Sequence, residues 1–272
     1  MNYQNSYRQN AFNQLPVVVK NLLIINILMF VLTFVFIAMF DIDLNDKLGL
    51  HFPTSQKFQP YQVITYMFMH GSLPHLFLNM FALWMFGKSL EDLWGPKRFL
   101  IYYLITGIGA AICHYTIVYF QMQDALNFID SYIANPSLSA FDEFASSVGS
   151  TMNSNYLLSE HSMKEALQIS VDQVRDYRIA LLNAPNIVGA SGAVFGILLA
   201  FGMLFPNTEL MFLFLPIPIK AKWFVLAYGL IELFSGLRGA AGDNVAHFAH
   251  LGGMLFGFIL LKYWQKNSKT FY

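Results

Sequence analysis

Leu22 to Phe40 reads LLIINILMFVLTFVFIAMF, an uncharged run that ends at Asp41. A bilayer core of about 30 Å needs about 20 helical residues to span it, and this run meets that length. It is longer than the apolar core of a signal peptide, and the polar MNYQNSYRQN before it has no such core, so an uncleaved anchor is expected. The rest of the chain agrees. Its 272 residues are 56% hydrophobic and only 12% charged, with 27 Phe and 13 Met, and the mean hydropathy is +0.47. A soluble domain carries about 25% charged residues because its surface faces water, so the composition selects the membrane class. The formal net charge is zero, which gives no electrostatic case for a nucleic-acid partner. The single cysteine, Cys113, lies in an apolar run without zinc-ligand spacing and reads as a small packing residue.

Five further stretches have span character, giving an all-α, six-span membrane domain over 20–264. The spans fall at 20–40, 75–94, 98–120, 189–205, 220–236 and 244–264. The second opens after Pro74 and stops at Trp94-Gly95-Pro96. The third follows Lys97-Arg98 and runs out at Gln121. The fourth has too few residues between Ser191 and Pro206 for a full span, so it should begin inside the membrane. The fifth carries Glu232, and the sixth is glycine-rich and ends among Lys262, Lys266 and Lys269.

The distribution of basic residues sets an expected orientation. With segment 1–19 and tail 265–272 cytoplasmic, that face holds Arg8, Lys20, Lys88, Lys97, Arg98, Lys220, Lys222, Lys262, Lys266 and Lys269. The outer face holds Lys47, Lys57, Lys164, Arg175, Arg178 and Arg238, spread over longer loops. Residues 42–74 form the first outer loop, whose apolar Val63 to Met69 could lie at the interface or dip into the bilayer if protein covers it. Residues 121–186 read as an extramembrane insertion with eight acidic and three basic residues. Within it, Met163 to Asn183 has helical spacing of Leu167, Val171, Val174, Ile179 and Leu182.

Polar groups at membrane depth are costly and are functional candidates by default. Three clusters qualify. In Gly189-Ala190-Ser191-Gly192-Ala193-Val194-Phe195-Gly196, the serine opens a helix, where free backbone N–H groups can stabilise an oxyanion. The glycines allow close approach of other backbone or a reacting group. An isolated serine here could equally be a small packing residue. In the sixth span, His250 sits one turn before Gly253, which with Gly257 forms a small-residue stripe for tight helix packing. A neutral imidazole there could take the serine proton. His247 is three residues earlier, and the two histidines could instead be metal ligands. In the third cluster, His75 and Asn79 are four apart on one helix face, and both can donate to a developing oxyanion. His70 precedes Pro74 and reads as a loop residue with a structural hydrogen bond.

His70-x4-His75-x3-Asn79, Gly189-x-Ser191-Gly192 and Ala249-His250-x2-Gly253-x3-Gly257, in that order and on those spans, resemble the rhomboid intramembrane serine proteases. The resemblance implies that Ser191 is the nucleophile and His250 the general base, acting as a dyad without a third carboxylate. Glu232, on a different span, then lies outside the machinery. By position, His75, Asn79 and the Ser191 backbone N–H match the oxyanion-stabilising groups, and Glu91 matches a structural glutamate at the cytoplasmic end of the second span. Its alternative is a solvated charge whose removal leaves the fold intact. The chain departs from the family's pattern twice. Tyr61-Gln62 stands where many members carry Trp-Arg, which puts the usual loop anchoring in question, and Phe195 replaces a frequent tyrosine.

The expectation is thus a serine endopeptidase of the cell inner membrane, opening to the outer face, that cuts transmembrane protein substrates without cofactor or metal. The rivals are a catalytically silent membrane chaperone or scaffold of the same family and a histidine-based metal transporter. No H-E-x-x-H motif points to a metalloprotease.

Overall fold

The computed structural model describes residues 15–135, 171–212, 215–238 and 246–267, and most of that length is helical. Asn244, Val245, Met163 and most of the 121–186 insertion lie outside the described residues.

Helix α1 (Val17–Phe40) has no N-cap side chain of its own. Its first amides are satisfied from elsewhere: the buried Glu91 carboxylate accepts from Val18 N at 2.9 Å and from Val19 N at 2.8 Å. The family-matched glutamate therefore ties the start of α1 to a later helix. The outward side of α1 is uncovered, with Ile27, Leu28, Val31, Phe34 and Met39 among its exposed residues. Continuous apolar exposure of this kind needs a non-aqueous neighbour.

The segment between α1 and Ser72 is a packed structure. It contains α2 (Leu44–Leu48), β1 (Leu50–His51) and α3 (Gln62–Thr65), followed by a 3-10 turn over Tyr66–Phe68. The residue that stands in the family's Trp-Arg position is its fastener. Gln62 is buried; its Oε1 accepts from Gln59 N at 3.0 Å and His51 N at 3.3 Å. Its Nε2 donates to Lys57 O at 3.1 Å and Lys47 O at 3.2 Å. The anchoring placed in question by the missing Trp-Arg is supplied here by an amide that satisfies both ends.

Helix α4 (Leu73–Ala82) starts before Pro74 rather than after it. Ser72 caps the helix, and proline is tolerated in a first turn because that N–H has no intrahelical partner. A π-helical turn at Leu83–Gly87 carries the chain into α5 (Lys88–Trp94).

Helix α6 (Pro96–Ala134) corrects the expected end at Gln121. The cause is a second stripe, Met122, Ala125 and Ile129, whose members are all buried. Helix α7 (Val171–Asn183) packs along this extension, burying Val174, Leu181 and Leu182, and Arg178 Nε donates to Asp130 Oδ1 at 2.8 Å. The insertion thus begins with a helical prolongation of the third span, and part of it folds back as a helix.

Strand β2 (Asn186–Ile187) pairs antiparallel with β1, Leu50 opposite Ile187 and His51 opposite Asn186, and leads into α8 (Ser191–Leu204). A hairpin of β3 (Glu209–Phe212) and β4 (Leu215–Lys220) follows, then α9 (Ala221–Arg238) and α10 (His247–Asn267). Helix α8 has 14 residues, ten of them buried. It is enclosed chiefly by α6, α9 and α10 and forms the centre of the molecule. Among the described residues, α1 and α6 are long and apolar enough to cross a membrane, and α8 is a shorter apolar helix.

Candidate active site

Gly189 has φ 127°, a conformation that L side chains rarely adopt. Its N–H donates to Tyr66 O at 2.9 Å, so the turn that follows α3 holds the turn that launches α8. Ser191 is the first residue of that helix, and the N–H groups of a first turn have no intrahelical partners. A Cβ on Gly189 would lie 2.6 Å from His75 Cε1, 2.9 Å from His75 Nε2 and 3.6 Å from Ser191 Oγ. The second-span imidazole and the serine hydroxyl therefore border one small space, which glycine keeps open.

Glycines also bring α10 onto α8. A Cβ on Gly253 would collide with the Gly192 carbonyl, and one on Gly257 would lie 3.3 Å from Gly196 Cα. The stripe read from the sequence is the seam itself. Gly252 turns toward Ala110 and Cys113 of α6, and Tyr102 OH, also on α6, donates to Gly196 O at 2.9 Å.

His250 is buried, and its ring stacks on Phe195 with centroids 4.1 Å apart and planes 6° apart. Phe195 is one helical turn after Ser191. Without the hydroxyl of the family's tyrosine, the ring still acts as a flat support for the imidazole.

Glu232 corrects the expectation that no carboxylate belongs to the site. Its Oε2 lies 2.8 Å from His250 Nδ1 and 2.6 Å from His247 Nδ1. A carboxylate oxygen only accepts, so each Nδ1 donates. Glu232 and His250 lie on different helices, but α9 and α10 pack closely here: a Cβ on Gly236 would be 3.2 Å from His247 Cβ. These three residues are also the described group whose ligand atoms, within 4.8 Å of one another, could hold a metal ion.

On α4, Asn79 Nδ2 donates to His70 Nε2 at 3.3 Å, and both side chains are buried. The His70 ring meets that of His75 at 5.1 Å, edge to face. His70 thus makes the expected structural hydrogen bond, to a residue of the matched oxyanion pair. One polar residue of the apolar helices was missed altogether: His114, buried on α6. Its signal was a polar ring in an apolar span, which the sequence reading did not weigh.

A helical domain with an apolar exterior and a short, largely buried central helix is the architecture of a membrane protein. The chain belongs to the rhomboid family: the profile described as Rhomboid domain matches residues 57–127 and 148–266. The family is one of membrane proteins that are generally serine proteases. A similar curated protein is Rhomboid protein 1, mitochondrial, of Saccharomyces cerevisiae, 25% identical over 205 residues. That alignment covers 74% of this chain and 42% of the relative, so the chain spans less than half of that protein's length.

Proposed function

We propose that the chain is an intramembrane serine endopeptidase with six spans, both termini on the face richer in basic residues and the catalytic groups opening to the other. The observation that carries this reading is Phe195, which stacks on His250 while standing one turn from Ser191 on the same short helix. The Gly192–Gly253 seam supports it by holding the two helices in contact beside both residues.

In the proposed reaction, Ser191 Oγ attacks the scissile carbonyl carbon as its proton passes to His250 Nε2. The Ser191 N–H, His75 and Asn79 stabilise the oxyanion. The C–N bond then breaks, His250 protonates the leaving amine, and water, activated by the same imidazole, hydrolyses the acyl-enzyme. Helical amides are already hydrogen-bonded, so the substrate segment must unwind locally. This favours transmembrane helices with Gly, Pro or polar residues near the outer end, and a small residue before the cut. A stable poly-Leu helix cleaved equally well would refute that preference.

The test uses purified protein, a model substrate with one transmembrane helix and a fluorophosphonate probe. Cleavage should survive chelator and disappear in Ser191→Ala, and the probe should map to Ser191. Cleavage that disappears with chelator but persists in Ser191→Ala would overturn the reading in favour of a metal site.

A further inference from the structure

We propose that Glu232 is a positioning residue for His250, turning the Ser–His pair into a Ser191–His250–Glu232 relay with His247 as a second tether of the carboxylate. The inference rests on the protease reading above.

A carboxylate among apolar helices is expensive and persists only with partners that repay its desolvation. Glu232 is 4% exposed, and two ring nitrogens donate to the same oxygen. The stacking geometry shows why the base needs it. Phe195 lies parallel to the imidazole and restrains its tilt, but a flat apolar support does not fix the ring's rotation within its own plane. A hydrogen bond at Nδ1 does fix it. Among the described residues, Glu232 is the hydrogen-bond partner of the His250 ring. Holding the proton on Nδ1 leaves the Nε2 lone pair free to receive a proton from the serine, the tautomer that a base in acyl transfer requires. The second donor, His247, fixes the carboxylate, so the acceptor is itself anchored.

The test compares the full-length wild type with Glu232→Gln, Glu232→Asp and Ser191→Ala in proteoliposomes, measuring kcat, KM, fluorophosphonate labelling rate and melting temperature. Glu232→Gln should lower kcat and the labelling rate roughly 10²-fold, with KM within about twofold and melting little changed. Glu232→Asp should regain at least about tenfold of the loss, because the acceptor charge returns. Wild-type kcat in Glu232→Gln, a change confined to KM, or equal rates for the Gln and Asp variants would overturn the proposal. So would wild-type cleavage that disappears with chelator, since the three groups would then be serving a metal. If Glu232→Gln does not fold, Glu232→Asp against wild type decides: about tenfold lower kcat at unchanged KM supports the proposal, and unchanged kcat refutes it. Cleavage that persists in Ser191→Ala defeats the protease reading itself, whereas inactive Ser191→Ala beside fully active Glu232→Gln defeats only the role given to Glu232.

Discussion

Helices α1 and α8 are both apolar and uncharged in their cores, yet they solve opposite problems. α1 has 24 residues and turns large aliphatic and aromatic side chains outward, so almost any apolar residue serves there. α8 has 14 residues and is mostly buried, with glycine where α6 and α10 close on it. The outward face of one helix is specified by hydropathy alone. The other helix is specified by shape, one position at a time.

Substitutions should break that symmetry. The largest effect is expected at the seam: Gly253→Leu should drive α10 off the Gly192 carbonyl and lose the folded protein, seen as aggregation in detergent and no probe labelling. Ile27→Leu on α1 should change stability by less than about 0.5 kcal/mol. If both variants melt alike, the contrast between the helices is wrong. Next comes Phe195→Ala, which leaves the chemical groups in place but removes the imidazole's support. It should cost roughly 10- to 100-fold in kcat, whereas Phe195→Tyr should stay near wild type. Glu91→Gln should then lower stability by about 1–3 kcal/mol, because the amides of Val18 and Val19 lose a charged acceptor; an unchanged melting curve would return Glu91 to a solvated role.

The smallest effect belongs to the first outer loop. The Lys57 ammonium donates to Asp46 Oδ1 at 2.6 Å and holds that carboxyl below its usual range, against a smaller opposing push from burial. A carboxyl lowered in the folded state stabilises above its ordinary value, near 3.9, and the contribution fades as pH falls through the folded value. Lys57→Met should flatten that acid dependence in a melting series by slightly lowering stability at neutral pH while leaving the acid end nearly unchanged.

The apolar helices and the glycine stripe were legible in the sequence because both depend on local pattern: the length of an apolar run for one, small residues four apart for the other. The placing of His75 beside Ser191 and of Phe195 against His250 was legible only as a family resemblance, since nothing local joins 75 to 191 or 195 to 250. Three features escaped. Helix α6 continued past Gln121 because the expected end followed the loss of hydropathy, while Met122, Ala125 and Ile129 still kept a helical face. Gln62 read as a departure from a motif, since an amide gives no hint of four loop partners until the loop is folded. Glu232 was noticed as an intramembrane charge but set aside because it sits on another span; a carboxylate's reach across a helix pair depends on packing that spacing cannot encode.

The length of α6 has a mechanical consequence. Its 39 residues make a rod of about 58 Å at about 1.5 Å per residue, and a bilayer core takes up only about 30 Å of it. The upper part, braced by α7 through Arg178 and Asp130, is a stiff mast continuous with the helix that supplies Tyr102 and Ala110 to the active seam. The α7 end of the molecule and the α8–α10 seam therefore share one continuous helix.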